Sequence, residues 1–237
     1  MSKQKKNDDS LESRLQGRVT TKRNVYDNTV LIFNQLKEIL ENYANVNNPI
    51  AQEIHKDITI EYSDKGEFEA HLKVAGDLLL FTMHSNVFEF PKDHVIMRSS
   101  YVKMDPLRSY CGVIYIYNFL NDSFRYSRYN DIGYLVARIF VNKEFHFIVE
   151  GKRQMEFLSN TFTGKKLDET KLKKILDTAV NYCLDFDLLL TPYDDIKEVT
   201  VAEMMEYSQN MNVRTGKRLG FRFQADPEET LPQNLKK

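Results

Sequence analysis

The sequence predicts a single α+β domain in which a twisted antiparallel sheet of about six to eight strands, joined by hairpin and meander connections, packs against N-terminal and C-terminal helices. Three observations carry that expectation. The stretch from Tyr110 to Lys152 alternates apolar and polar residues and is dense in Tyr, Phe, Val and Ile, the pattern of paired, half-buried strands. Segments near both ends repeat their apolar residues with the helical period instead. Strand patterns collect in the middle of the chain and do not alternate with helices, which favours segregated α+β packing over a parallel sheet.

The elements follow in order. Residues 1–23 are polar, with Lys3, Lys5, Lys6, Arg14, Arg18, Lys22 and Arg23 outweighing Asp8, Asp9 and Glu12. With almost nothing to bury, they are expected to form a mobile basic segment ahead of a domain spanning residues 24–211. Asp27 is placed to cap a helix to Tyr43, whose Ile32, Leu36, Ile39, Leu40 and Tyr43 share a stripe. Asn45 to Pro49 is expected to end it, because a residue before proline is held extended. Strands are predicted from Asp57 onward, with a turn at Ser63–Gly66, alternation from Phe68 to Val74, and a second turn at Gly76-Asp77 into LLLFTMHS. Two further strands are assigned to VFEF before Pro91 and to HVIMRSSYVKM before Asp105-Pro106, and the Tyr110–Lys152 stretch supplies three or four more.

Helical patterns then return. A short helix is expected over GKRQMEFLSNTF. A longer one from Asp168 stacks Leu172, Ile175, Leu176, Ala179, Val180, Cys183 and Leu184 before Pro192. Thr200 to Glu203 reads as a capping box, with Val199 and Met204 as its hydrophobic staple, opening a helix to about Asn210. Residues 212–237 are expected to form a loosely ordered tail, basic from Arg214 through Lys217 and Arg218 to Arg222.

Composition narrows the function classes. Apolar residues make up 42% of the 237, charged residues 28%, and the net charge is −1, so no global field drives binding to nucleic acid or anionic lipid. Cys111 and Cys183 are the only cysteines, too few for a disulfide framework or a thiolate metal site. His55, His71, His84, His94 and His146 lack metal-ligand spacing. No apolar run reaches the roughly 18 residues that span a bilayer, and no leader pattern opens the chain, so a cytoplasmic location without a membrane role is expected. Gly164-Lys165 and Gly216-Lys217 have Ser159 and Met211 where a phosphate-binding loop needs glycine. GxSxG, HExxH and GxGxxG are absent from the sequence.

The polar face of the last hairpin is the first candidate site. Pairing Val141 with Phe145, Ile139 with Phe147 and Ala137 with Val149, across a loop of Asn142 to Glu144, gives one apolar face: Leu135, Ala137, Ile139, Val141, Phe145, Phe147 and Val149. The opposite face then carries Tyr134, Arg138, His146, Glu150 and Lys152, with Arg138 diagonal to both His146 and Glu150. A cross-strand salt bridge accounts for most of this face, and a small polar site with a titrating His146 is the functional alternative.

Asp131 followed at a distance by Glu150-Gly151-Lys152 resembles the Asp and Glu-x-Lys set of restriction-endonuclease-like nucleases. The likeness is of spacing, over about 20 residues. It implies two carboxylates holding Mg²⁺ and a lysine, two positions beyond the glutamate on the same strand face, orienting water. No proline precedes Asp131, and Gly151 interrupts the strand edge.

A second candidate interleaves Arg125, Tyr126, Arg128 and Tyr129, with Tyr115, Tyr117 and Phe119 sharing a neighbouring strand face. Such Tyr and Arg can stack on bases and neutralise phosphates; equally, aromatic residues are common in strands and arginine stems cover them. The basic ends, Arg14 to Arg23 and Arg214 to Arg222, are a third candidate, able to meet nucleic acid or an acidic partner, or, within one chain or a dimer, the acidic Asp185, Asp187, Asp194, Asp195 and Glu198; a merely solvated end is the plainer reading. Together these features predict a non-catalytic cytoplasmic binding or adaptor protein. It would engage a protein or nucleic-acid partner through Tyr115, Tyr117, Arg125, Tyr126, Arg128, Tyr134, Arg138 and His146 together with the basic termini, with no cofactor. The alternative is a Mg²⁺-dependent nuclease using Asp131, Glu150 and Lys152.

Overall fold

The computed structural model describes residues 15–151, 162, 166–185, 192–202 and 204–205, with backbone only at 195 and 196. A wide helical turn at Leu15–Val19 leads into helix α1, Thr20–Ile54. Val25, Thr29, Ile32, Phe33, Leu36, Ile39, Leu40 and Ala44 are buried along α1, recurring three or four residues apart as a core-facing stripe requires. The helix is longer than predicted at both ends. Asp27 does not cap it but lies inside, paired with Arg23 one turn earlier at 3.0 Å, and the boundary expected at residue 23 falls within α1. At the other end the helix continues through Pro49. Proline in a helix interior costs about 3 kcal/mol in lost bonding and crowding, but here its neighbours supply polar contacts. Asn47 Nδ2 donates to Tyr43 O at 2.8 Å, and Asn48 Oδ1 accepts from Ile60 N at 2.9 Å, tying the final turns to the first strand.

The strands are β1 (Ile60–Asp64), β2 (Glu69–Val74), β3 (Asp77–Met83), β4 (Phe88–Glu89), β5 (Tyr110–Leu120), β6 (Tyr134–Asn142) and β7 (Phe147–Gly151). Among the described residues they form one seven-stranded antiparallel sheet in the order β1-β2-β3-β5-β6-β7, with β4 pairing the first residues of β5. The β1–β2 turn uses Gly66 at φ +114°, and Lys37 from α1 donates to Asp64 Oδ1 at 2.8 Å and Gly66 O at 2.5 Å, clamping that turn to the helix. The strand expected over HVIMRSSYVKM is helical instead: a 3₁₀ turn at Val95–Arg98, then helix α2, Ser100–Met104. Local capping outweighs its apolar alternation. His94 Nδ1 accepts from Ile96 N, Ser99 Oγ from Val102 N, and Asp105 Oδ1 from Leu107 N with Pro106 at the first helical position.

Helix α3 (Asn121–Arg125) connects β5 to β6, helix α4 (Glu169–Leu184) is capped by Asp168 as predicted, and helix α5 is a single turn, Tyr193–Ile196. Thr200 accepts Met204 N through its carbonyl at 3.0 Å, while Glu203 and the remainder of the expected helix to Asn210 lie outside the described residues. Of the helix expected over Gly151–Phe162, residues 152–161 lie outside them too, and Gly151 closes a strand instead.

The α+β architecture is the predicted one, with α1 and α4 on one sheet face. The core there joins Ile32, Leu36 and Leu40 of α1 and Leu172, Ile175 and Leu176 of α4 to Leu72, Phe81, Ile114, Ile116, Ile139 and Val149. At Gly112 the helix comes so close that an added Cβ would sit 2.1 Å from Thr29 Oγ1. The opposite face has a smaller core at one end, where Phe90, Ile96 and Val102 from the 88–109 segment, together with Phe162, cover Cys111, Val113, Phe140 and Ile148.

Candidate functional site

The second sheet face is where the chemistry-bearing side chains collect, and the register decides which of them meet. The β6–β7 hairpin pairs Val141 with Phe147, Ile139 with Val149 and Arg138 with Glu150. It keeps the predicted apolar face but slides the partners by two residues. The loop is three residues long, Lys143 to Phe145, with Phe145 in the left-handed region at φ +63°. Asn142 sets that loop: its fully buried side chain accepts from Glu144 N at 2.9 Å and His146 N at 3.0 Å, an Asx arrangement that reproduces a turn. Phe145 N donates to Asn142 O, and Phe145 O accepts Leu167 N at 2.8 Å.

The shift sorts the candidate residues into separate groups. Arg138 stands directly opposite Glu150, not diagonal to it, and binds its carboxylate. The guanidinium also lies 5.2 Å from the Phe140 ring centre. On the other side of Glu150, His94 Nε2 is 4.0 Å from Oε1, and its ring packs 4.8 Å from Phe90. Arg138 pairs across β5 with Tyr115, whose half-buried ring lies 5.9 Å from the Tyr117 ring at an interplanar angle of 19°. Tyr115, Tyr117, Arg138 and Glu150 thus share one patch, with His94 added from outside the predicted set.

His146 belongs elsewhere. Its ring stacks on Tyr101 at 4.9 Å, and Nδ1 lies 2.8 Å from Phe162 O. Tyr101 Oη donates to Glu144 Oε2 at 2.6 Å and accepts from Asn142 Nδ2 at 2.9 Å. Arg108 Nε donates to Glu144 Oε1 at 2.9 Å while its guanidinium covers the Tyr101 ring at 4.4 Å. Burial, then the Glu144 hydrogen bond, raises the Tyr101 phenol well above its ordinary value. For Glu144 burial pushes upward, but the bonds from Tyr101 and Arg108 outweigh it and hold the carboxyl below the usual range. This network fastens the 88–109 segment onto the β6–β7 loop.

A bulge in β6 separates Tyr134 from the patch. Ile116 pairs with Ala137 and Tyr117 with Leu135, so Val136 is the extra residue. Val136 turns into the core, Leu135 is 39% exposed despite its predicted place there, and Tyr134 falls opposite Asn118, outside the Tyr115–Tyr117 row.

Residues 121–131 form α3 and a loop, not a strand. Phe124 packs edge-on against Phe119 at 5.3 Å and His71 at 6.0 Å, extending the aromatic row. Arg125 lies over Tyr126 at 5.4 Å, and Tyr129 is 91% exposed. Arg128 is buried, its Nε 3.0 Å from Asp131 Oδ2, and Ser123 Oγ donates to the same oxygen at 2.6 Å. The carboxylates of the nuclease-like set are therefore engaged separately, Asp131 by Ser123 and Arg128, Glu150 by Arg138 and His94. Lys152 lies outside the described residues, as do Arg14 and the basic positions from Arg214 to Arg222, whereas Arg18, Lys22 and Arg23 lie on or just ahead of α1.

Burial pushes the Cys111 thiol up to about 12, with the Glu150 charge adding to the effect, which leaves it protonated and inert near neutral pH. No group of three or more His, Cys, Asp and Glu with metal-binding placement occurs among the described residues, and no described helix is long and apolar enough to cross a membrane. The sequence held signals for what was missed: His94 precedes a capped turn, and Asn142 opens the hairpin loop. Compared with protein-family models, curated proteins and solved structures, the chain matches none.

Proposed function

We propose that this chain is a non-catalytic binding module that engages a partner protein through the patch at Tyr115, Tyr117 and Arg138. One observation carries the reading: two half-buried, near-parallel tyrosine rings on a regular strand, with an arginine paired across from the first. Tyrosine and arginine are the residue types enriched at the energetic centres of protein interfaces, where a rigid ring gives contact area at little entropic cost. The sheet supplies the rigidity, since β5 pairs on both sides along most of its length. Charge favours a protein over a nucleic acid. Arg138 is balanced by Glu150, and Lys73 on the same face by Glu61 at 3.1 Å. A phosphate backbone would call for uncompensated cations.

The test compares the immobilised full chain with its Tyr115→Ala/Tyr117→Ala variant, quantifying co-purifying proteins by mass spectrometry alongside melting temperature. A partner held by the wild type and lost by an equally stable variant is the expected outcome. Identical co-purifying sets would sink the proposal. Tyr117-dependent binding of labelled single-stranded RNA or DNA at low salt would move the reading to nucleic acid.

A further inference from the structure

On the helical side of the molecule, away from the tyrosine patch, α1 and α4 leave an open groove of about 510 Å³ between them. Its apolar lining comes from Leu31, Ile32, Ile39, Phe145 and Leu167, interrupted by Gln35 and Asn42 of α1. Ile39 and Leu167 are buried beneath it, while Leu31 is 48% exposed. Phe145 is the residue held at φ +63°. An aromatic side chain in the left-handed region is a backbone outlier, and such strain persists only where surrounding structure fixes it. Three carboxylates, Glu38, Asp168 and Glu169, flank the lining, against one ammonium, Lys173. Glu169 pairs with Lys173 at 2.7 Å and Asp168 with Lys171, but these are surface pairs of small net value that an incoming cation can displace.

A groove of mixed lining, with apolar residues spaced among carboxylates, fits a basic segment carrying spaced apolar residues. The chain contains one in residues 213–222, where Val213, Leu219 and Phe221 alternate with Arg214, Lys217, Arg218 and Arg222. We propose that this segment of the same chain docks in the α1–α4 groove, apolar side chains against Leu31 and Phe145 and cations toward Glu38, Asp168 and Glu169. Tethering favours the chain's own segment over a second copy, because the effective concentration of a linked segment reaches the millimolar range. This inference does not rest on the tyrosine patch.

Zero-length carbodiimide cross-linking of the full chain, read by peptide mass spectrometry, tests it directly. Lys217 is expected to link to Glu38, Asp168 or Glu169 in the monomer band. The yield should fall to background in Leu31→Arg, which removes the apolar contact and repels the cationic segment, and at about 0.5 M salt, where the screening length is only about 4 Å. Leu31 is 48% exposed, so Leu31→Arg should keep its melting temperature, and Lys217→Gln provides a control that leaves the groove untouched. The proposal is overturned if Lys217 links only to other sites, if its links occur only in a dimer band, or if Leu31→Arg leaves them unchanged. Tyr115→Ala/Tyr117→Ala should have no effect on this cross-link, which separates failure here from failure of the tyrosine patch.

Discussion

Arg138 and Glu150 face each other directly across the β6–β7 ladder, and the guanidinium of one binds the carboxylate of the other. The arginine side chain is 41% exposed and the glutamate 35%, so water and salt screen the pair. A double-mutant cycle with Arg138→Ala and Glu150→Ala, followed by urea unfolding, should return a coupling of about 0.5 kcal/mol. A metal-dependent nuclease gives a different result: Glu150→Ala would abolish Mg²⁺-dependent cleavage of DNA or RNA while leaving the unfolding midpoint in place. The binding-module reading expects no such cleavage in the wild type.

The contact of Gly112 with Thr29 predicts a steric cost out of proportion to the added atom. A Cβ at position 112 would lie 2.1 Å from Thr29 Oγ1 and 2.8 Å from its Cβ and Cγ2. Both elements are anchored, because Thr29 is fully buried and its hydroxyl donates to Val25 O at 2.6 Å. Gly112→Ala should destabilise the fold by about 3 kcal/mol, the upper end for overpacking a tight core. Thr29→Ala in the same chain should recover part of the loss. An unfolding midpoint for Gly112→Ala equal to wild type would show that α1 does not approach β5 this closely.

The Tyr101–Glu144–Arg108 network predicts an acid-side loss of stability. Glu144 has a folded value below its ordinary one, so its contribution is present above about pH 4.3 and disappears as pH falls through the lower folded value. Tyr101, Arg108 and His146 are the titratable groups that act on it. Glu144→Gln should reduce stability near neutral pH and flatten the acid limb of a stability-against-pH curve. On the alkaline side, Tyr101 has a raised folded value, so its contribution falls away as pH rises above about 10, and Tyr101→Phe should flatten that limb. Parallel curves for wild type and Glu144→Gln below pH 5 would dissociate the carboxylate from acid stability.

These features differ in how readily the sequence reveals them. The strands β2, β3, β5, β6 and β7 are legible because each alternates between a wet and a dry face, or between two dry ones. Arg138 and Glu150 are legible as neighbours because alternation along β6 and β7 puts both on one sheet face, though the expected register set them diagonal instead of opposite. The bulge at Val136 is not, since Leu135, Val136 and Ala137 are all apolar and alternation cannot show which one is extra. The two-residue slide of the last hairpin preserves facing, so burial cannot distinguish it, and the choice rests on Asn142 bonding the loop. The helical run Val95–Met104 is disguised because its apolar residues also fit a strand, while the capping by His94 and Ser99 is local. His94 reaches Glu150 only through the fold of the 88–109 segment, which no spacing rule anticipates.

The β2–β3 turn offers a place where one substitution should strengthen the fold. Val74 pairs with Asp77, so Ala75 and Gly76 form a two-residue loop, and Ala75 sits at φ +53°. An L-residue with a Cβ pays about 1 kcal/mol to hold the left-handed region, whereas glycine enters it without that clash. The glycine in this turn stands one position later, at Gly76, and is not what relieves Ala75. Against this, a new glycine loosens the unfolded chain by about 0.4–1 kcal/mol. Strain relief and unfolded-state entropy therefore oppose each other, with the first slightly larger because Ala75 N remains bonded to Thr59 O at 3.0 Å and the turn cannot relax outward. Ala75→Gly should raise stability by about 0.5 kcal/mol. Placing the same residue at Lys73, in the extended part of β2, should lower it. Denaturation midpoints for the two variants, measured together, give opposite signs if relief of the left-handed strain at Ala75 exceeds the entropy term, and the same negative sign if it does not.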